Sequence, residues 1–595
     1  MMRNGSLQAE ILTRLGEAPD RPCVSFYGSD GMFRWQTREE VYTRAAAAAE
    51  QMRRHGLRSG DVCVVVLPSG AIAANVLIAS LLLGAVPLLV APPTLVGANL
   101  DIHSTVRSVL RRTVARVLIY SSSNEAGIGG LAGSFPATRF LCASVIESAE
   151  AGSGPFVPFL PRETDIAAMQ LTSGTTGEPR ICVWDHKGVL AALEGMASAM
   201  ALSPDDVCVN WTPLYHDMGL VNNFLLCLTR GVPLVMLSPH DFIRRPALWL
   251  RCLSDTRATI TWAPNFGFAV ASQRAADKEL DGVRLDSVRA FWNAAERIHL
   301  ETLEAFHRRF ARLGVRYEAL KTNFGCAENI GGATFSALDG PMRHEVIDRR
   351  LLEESGVARL STSSNYAEKM VVVSVGRAHP GLRIEIQSPH GRKVQDGRVG
   401  EICLNTPSHM LWYHRSARET RRVLRRGLLR TGDLGYLRDG ELFWVGRLRE
   451  RITIHGKKID PSAFEAVLAS TPGLREGCFA AFGVPDERLG TECLIVVGEV
   501  RPSLTMSLKE LEATIRRKCF LEMGVSPGDI VLVQSGTLAK TSSGKRRHRH
   551  FRKLYLAGGL EQARKLLANS MSVSDVAEPQ GATYSESAEC VQTQA

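Results

Sequence analysis

Ten consecutive residues, Leu171-Thr172-Ser173-Gly174-Thr175-Thr176-Gly177-Glu178-Pro179-Arg180, have the composition of a phosphate cradle. Two glycines let backbone N–H groups curl around an anion, and four small hydroxyl side chains add further donors. No Gly-Lys-Ser/Thr closes the segment, so it is not a Walker A loop. Five more strings place chemistry-bearing residues close together. Trp211-Thr212-Pro213-Leu214-Tyr215-His216-Asp217-Met218-Gly219-Leu220 sets a histidine beside a carboxylate. Asn323-Phe324-Gly325-Cys326-Ala327-Glu328 sets a carboxylate downstream of an aromatic, and Arg430-Thr431-Gly432-Asp433 presents another after a glycine. Gly446-Arg447-Leu448-Arg449-Glu450 is a charged turn, and Thr541-Ser542-Ser543-Gly544-Lys545 carries one lysine on a hinged loop. Each has an ordinary reading as well: a buried histidine, a turn aspartate, a core aromatic, a solvated lysine.

Other chemistries are excluded by pattern. The 13 cysteines are scattered with no CxxC pair, which argues against a zinc site and for a reduced, cytoplasmic compartment. The N-terminus lacks an apolar signal core. Arg546-Arg547-His548-Arg549-His550, with Arg552-Lys553 beyond, is basic but not interleaved with aromatics, so no nucleic-acid partner is expected.

These residues need a scaffold, and composition bounds it. The 595 residues are 45% hydrophobic and 22% charged, enough for a large core in several folding units. Residues 63–100 contain no Asp, Glu, Lys, Arg or His. Asn75, Ser80, Gly84 and Pro87 interrupt the run, which reads as a strand at 63–67, a helix at 71–84 and a strand at 86–90, a covered parallel layer with no membrane span. Short apolar strands alternating with helices (117–120, 140–145, 232–237, 259–262) predict α/β with largely parallel sheets. After about Val371 the texture turns β-rich (382–387, 399–404, 441–445, 451–455), with hairpin-type turns at Asp396-Gly397 and Asp439-Gly440. A second α/β pattern covers 461–567, and residues 569–595, with four acids and no Lys or Arg, read as a disordered tail. The net charge of +10 fits anionic ligands without naming one.

The phosphate-type loop resembles that of the adenylate-forming superfamily, which includes acyl-CoA synthetases, nonribosomal adenylation domains and luciferases. The other strings follow in that superfamily's order from about residue 20 to 567. The His-Asp form of the 211–220 motif, together with Ala263-Pro264-Asn265-Phe266-Gly267-Phe268 and Asn293-Ala294-Ala295-Glu296, is most similar to the fatty acyl-AMP ligases. Gly456-Lys457-Lys458-Ile459-Asp460-Pro461 also looks like their version, and residues 344–375 fall where they carry an extra segment. Gly177-Glu178-Pro179-Arg180 looks instead like the CoA-ligase form, with Arg for Lys.

The resemblance implies a reaction and its residues. A carboxylate and the α-phosphate of ATP are two anions whose approach must be screened, and Lys545 would bridge them. Thr172, Ser173, Gly174, Thr175, Thr176 and Gly177 would hold the phosphates. Asn293, Ala294, Ala295, Glu296, Asn323, Phe324 and Gly325 would surround the nucleotide, with Phe324 on the adenine. Asp433 would accept the ribose hydroxyls, Arg447 would contact the nucleotide, and Arg449 would be the hinge, where Lys or Asp is commoner. Glu328, with Thr176, would hold Mg2+. His216 would sit beside the reacting carboxylate in a pocket with Trp211, Asp217, Met218, Gly219 and Phe266. Trp211 and Trp292 suggest a shortened cavity or a cyclic acid.

The expected architecture is a large N-terminal α/β domain at 1–446 with a β-rich portion, a small mobile α+β domain at 447–568 and a tail at 569–595. The expected reaction joins a carboxylic acid, of fatty or natural-product type, to AMP with release of pyrophosphate. The acyl group then passes to a separate acyl carrier protein or to CoA. A non-catalytic nucleotide-binding protein is the alternative from another class.

Overall fold

A computed structural model describes residues 5–92, 102–148, 156–172, 179–365, 368–448, 450–454, 457–486, 491–540 and 546–574. The charge-free stretch folds as its pattern requires. Strand Val62–Val66, helix Ala71–Leu82 and strand Val86–Leu89 follow one another, and the two strands pair in parallel. Cys63 and Val65 face one hydrophobic core while Val64 and Val66 face another. A strand covered on both sides has no solvent face to mark with polar residues, hence the unbroken apolar run. No helix among the described residues is long and apolar enough to cross a membrane.

That unit belongs to a seven-stranded sheet. Its parallel part adds Val117–Tyr120 and Arg139–Cys142 on one side and Ile166–Leu171 on the other. Ile181–Asp185 turns antiparallel against Ile166–Leu171, and Trp412–Tyr413 closes that edge. A nine-stranded sheet runs largely parallel through Leu234–Leu237, Cys208–Asn210, Ile260–Pro264, Ala290–Ala294 and Leu320–Cys326. Helix Ala71–Leu82 is apolar almost all round because its core also takes in Val209, Leu234 and Trp262 of this second sheet. Each large side chain so enclosed contributes roughly 1.5–3 kcal/mol.

The β-rich portion is an antiparallel five-stranded sheet including Arg383–Gln387, Gly400–Asn405, Leu428–Arg438 and Glu441–Arg447. Asp439 (φ 52°) and Gly440 (φ 78°) are the only residues between the last two strands, the two positive φ values a type I′ hairpin needs. Asp396-Gly397 is not such a hairpin. It lies in the longer connection 388–399, where the Arg398 N–H donates to the Gln395 carbonyl at 3.1 Å. The strand expected at 140–145 ends at Cys142, and Ser144–Glu147 is a helical turn. Residues 344–375 form strand His344–Asp348, helix Arg349–Ser355 and strand Lys369–Val373, the two strands antiparallel.

Beyond Ile452 the chain builds separate cores on a sheet of Leu474–Asp486, Thr491–Val500 and Asp529–Val533. Among the described residues no hydrophobic core holds members from both sides of 446–451. Helix Gly559–Ser574 runs six residues into the stretch read as a tail from 569; residues 575–595 lie outside the described residues.

Candidate active site

Antiparallel pairing of Ile166–Leu171 with Ile181–Asp185 delivers both ends of the phosphate-type loop to one place. The Thr172 N–H donates to the Arg180 carbonyl at 2.8 Å, and the Arg180 N–H donates to Thr172 Oγ1 at 3.2 Å, closing the neck. Ser173, Gly174, Thr175, Thr176 and Gly177 lie outside the described residues, as do Arg449 and Lys545. Gln170, on the first strand of the neck, donates its amide to the Tyr215 carbonyl at 2.8 Å. The His-Asp motif is thereby tied to the loop's base. His216 Nδ1 lies 2.8 Å from Asp217 Oδ1, and both atoms accept the Met218 N–H, at 3.2 and 2.9 Å. Met218 and Gly219 begin the wide helical turn Met218–Leu225.

Strand Leu320–Cys326 folds back on Gly331–Phe335 through a tight turn at Ala327–Asn329. A Cβ on Gly325 would lie 2.2 Å from the Gly331 carbonyl oxygen, so only glycine permits this approach. The Asn323 amide donates to the Thr334 carbonyl across the hairpin, and Phe324 is buried. Glu328, on the turn, accepts the Tyr413 hydroxyl on Oε1 at 2.5 Å. Arg180 lies 4.5 Å above the Tyr413 ring, 3.6 Å from Glu419 and 4.0 Å from Glu328. Glu328 Oε2 has no hydrogen-bond partner among the described residues.

Asp433 and Arg447 are cross-strand partners in the hairpin closed by Asp439-Gly440. Arg447 Nε lies 3.3 Å from Asp433 Oδ1, and Trp444 donates its indole N–H to the same oxygen at 3.1 Å. Burial pushes the Asp433 carboxyl above the usual carboxylate range, with Arg447 opposing, while Asp433 holds Arg447 still more firmly protonated. Glu328 acts electrostatically on both. The Cys326 thiol, two residues before Glu328, is pushed up by burial and then by Glu328, Asp433 and Asp217. Glu328, Asp433, Arg447 and Asp217 therefore share one locality.

The Asn293 side chain donates to Asn265 at 3.2 Å, leaving its Oδ1 buried and unpartnered among the described residues. Such an acceptor suits an amine donor like that of adenine. Ala294 ends its strand, Ala295 takes φ 74°, and Glu296 accepts the Phe266 N–H at 2.7 Å. Trp211 is enclosed by rings: it stacks on Phe242 at 3.8 Å and meets Phe266 edge-on at 5.8 Å. Trp292 is fully buried on Trp262.

For Mg2+ the donor set is small. No group of three or more His, Cys, Asp or Glu among the described residues is arranged around a metal. One carboxylate with an uncommitted oxygen fits an ion held mainly by phosphate oxygens and water, and Glu328 supplies it.

The charged face beyond reaches the small domain. Arg297 donates to Ser462 Oγ at 2.8 Å and lies 3.8 Å from Asp460. Arg546, the neighbour of Lys545, is anchored by Glu465 at 3.2 Å and by the Phe479 carbonyl at 2.9 Å. Burial opposes charging of His548, but Glu465, 2.6 Å from Nε2, outweighs it and raises its pKa. Tyr413, Trp444, Asn265 and Glu465 carry no prior signal of these roles beyond lying in or near the motif strings, since each acts through a partner distant in sequence.

Comparison with known proteins shows the family. The family model for the AMP-binding enzyme matches residues 13–414. The medium-chain-fatty-acid–[acyl-carrier-protein] ligase JamA of Moorena producens is 32% identical over 409 residues, covering 67% of this chain and 69% of that protein. The 4-hydroxyphenylalkanoate adenylyltransferase of Mycobacterium tuberculosis is 29% identical over 581 residues, covering 91% of this chain and 90% of its own. A solved structure from the fatty acyl-adenylate ligases of E. coli and L. pneumophila superposes with a TM-score of 0.85 at 26% identity, covering 94% of this chain and 100% of that one. With a family match across two-thirds of its length, this chain belongs to the AMP-binding enzyme family.

Proposed function

We propose that this enzyme activates a carboxylic acid of fatty or natural-product type as its acyl-adenylate and passes the acyl group to the phosphopantetheine thiol of a separate carrier protein. In the first step a carboxylate oxygen bonds to the α-phosphorus of ATP while the α–β phosphoanhydride bond breaks and pyrophosphate leaves. In the second the thiol sulfur bonds to the acyl carbon, AMP leaves, and the thiol proton is lost. The observation that supports this reading best is the convergence of Glu328, Asp433, Arg447 and the His216–Asp217 pair on the neck of the phosphate-type loop.

Within it, Asp433 accepts the ribose hydroxyls and Arg447 favours its ionised form against burial. His216 orients the incoming carboxylate, Glu328 and Thr176 hold Mg2+, and Lys545 neutralises charge between carboxylate and α-phosphate. Bound Mg2+ supplies charge screening of the phosphates. Residues 1–446 and 447–568 act as two domains, the second turning about Arg449 between the steps. A cytoplasmic setting is in keeping with the twelve described cysteines, all unpaired.

Acid-dependent exchange of pyrophosphate into ATP, screened over linear fatty, aryl-alkanoic and polycyclic acids, tests the first step. Exchange with some acid, abolished in Lys545→Ala, is expected; no exchange with any acid overturns the proposal. Gly177-Glu178-Pro179-Arg180 favours CoA as acceptor, a second reading. Efficient acyl-CoA formation, with poor transfer to holo-carrier protein, would establish it instead.

A further inference from the structure

A concentration of positive charge lies outside the machinery just described. Helix Ile102–Thr113 and the segment 411–429 abut one another: His414 Nε2 lies 2.9 Å from the Arg112 carbonyl, and Arg415 donates to the Arg111 carbonyl at 3.5 Å. Residues 102–116 contain no acid, and 411–429 contain one, Glu419. Glu419 is committed to Arg422 at 3.0 Å and Arg180 at 3.6 Å. Arg111, Arg415, Arg418, Arg421, Arg425 and Arg426 are all exposed, and none has an ion-pair partner among the described residues. Trp412 is exposed beside them to 42%.

Charge of one sign left unneutralised over a continuous face is costly to the free protein and is the pattern of a docking surface for an anionic partner. Two observations tie this face to the active site. Trp412 and Tyr413 alternate across the sheet edge, so that while Trp412 faces out, the next residue's hydroxyl holds Glu328. Arg112 donates to the Pro179 carbonyl at 2.7 Å, in the stem of the phosphate-type loop.

We infer that this arginine face docks the acidic surface of the carrier protein that receives the acyl group, an inference that rests on the function proposed above. Arginine suits the task because its guanidinium is weakly hydrated and forks onto carboxylate and phosphodiester oxygens. Attraction at this range accelerates encounter and holds the complex without altering the chemical step.

The test compares wild type with R418E/R421E/R425E, three exposed positions outside the catalytic residues. With an acid that supports exchange, transfer is measured to a holo-acyl carrier protein, to free pantetheine and to CoA. The variant is expected to show a KM for holo-carrier raised about tenfold or more, and to lose the wild type's weakening between about 50 and about 300 mM NaCl. Pyrophosphate exchange and transfer to pantetheine should stay within about twofold. An unchanged carrier KM with unchanged salt dependence overturns the inference, as does an equal loss with pantetheine. A loss confined to CoA, to RNA binding or to binding of anionic vesicles, with carrier kinetics intact, also overturns it. Absence of exchange in the wild type is instead a failure of the proposed function.

Discussion

Glu328 owes its state to a residue 85 positions away. The Tyr413 hydroxyl donates to one carboxylate oxygen at 2.5 Å and leaves the other uncommitted. A hydrogen bond to a charged group contributes about 1.5–3 kcal/mol. Tyr413→Phe should therefore lower kcat/KM for exchange by about tenfold to a hundredfold and raise the Mg2+ concentration needed, which a Mg2+ titration of the exchange rate checks. Asp433 makes a different demand. Burial raises its pKa above the usual carboxylate range, yet the ribose contact proposed for it needs its ionised form. As pH falls through that raised value the acceptor is lost, so the KM for ATP should climb at a higher pH than an ordinary aspartate would give. Asp433→Asn should remove this pH dependence while weakening ATP binding, as measured by KM across the acidic range.

The elements bring these residues together through turns and register. The hairpin from Leu320–Cys326 to Gly331–Phe335 is what aims Glu328, and it depends on Gly325 having no side chain. Gly325→Ala should destabilise the protein by roughly 2–4 kcal/mol, as clashes at tight backbone approaches do. Thermal unfolding would show it, together with loss of exchange beyond what the lower stability explains. Element type and order were legible in the residue pattern wherever a strand is covered on both faces or a turn needs special φ, as at Val62–Val66 and Asp439-Gly440. They were less legible at 140–145, where a β-branched residue, Val145, passes into a helical turn, because β preference reflects packing more than backbone.

At the scale of the molecule, His186, which is buried, and His299, which is half-buried, link stability to pH. Burial lowers His186 to about 4, where its Nδ1 accepts the Leu7 N–H. Burial, aided by Arg297 and Arg546, lowers His299 to about 3. Both are neutral when folded and take up protons more readily when unfolded. Stability is therefore full above the ordinary histidine pKa and falls as pH drops from about 6.5 towards 4. Urea midpoints should decline over that window, and His186→Gln should flatten part of the slope. His299 also stands next to the contacts joining the large domain to Asp460 and Ser462, so acidification should loosen that junction as well.

Residue types and their order determined the chemistry this chain can attempt. Adenylation needs a phosphate loop, a ribose-binding carboxylate, a metal-binding carboxylate and a lysine, and each requirement leaves its mark at one position. What they could not determine is who stands beside whom. Tyr413 on Glu328, Trp444 on Asp433, Ser462 on Arg297, and a face of arginines from two segments some 300 residues apart are products of tertiary packing. The physical reason is that a motif encodes what a side chain does to a ligand, whereas its protonation, orientation and neighbours depend on distances through space that no local pattern records. Trp211 shows the difference: its place in the string marks a pocket, and only the fold shows it enclosed by Phe242 and Phe266.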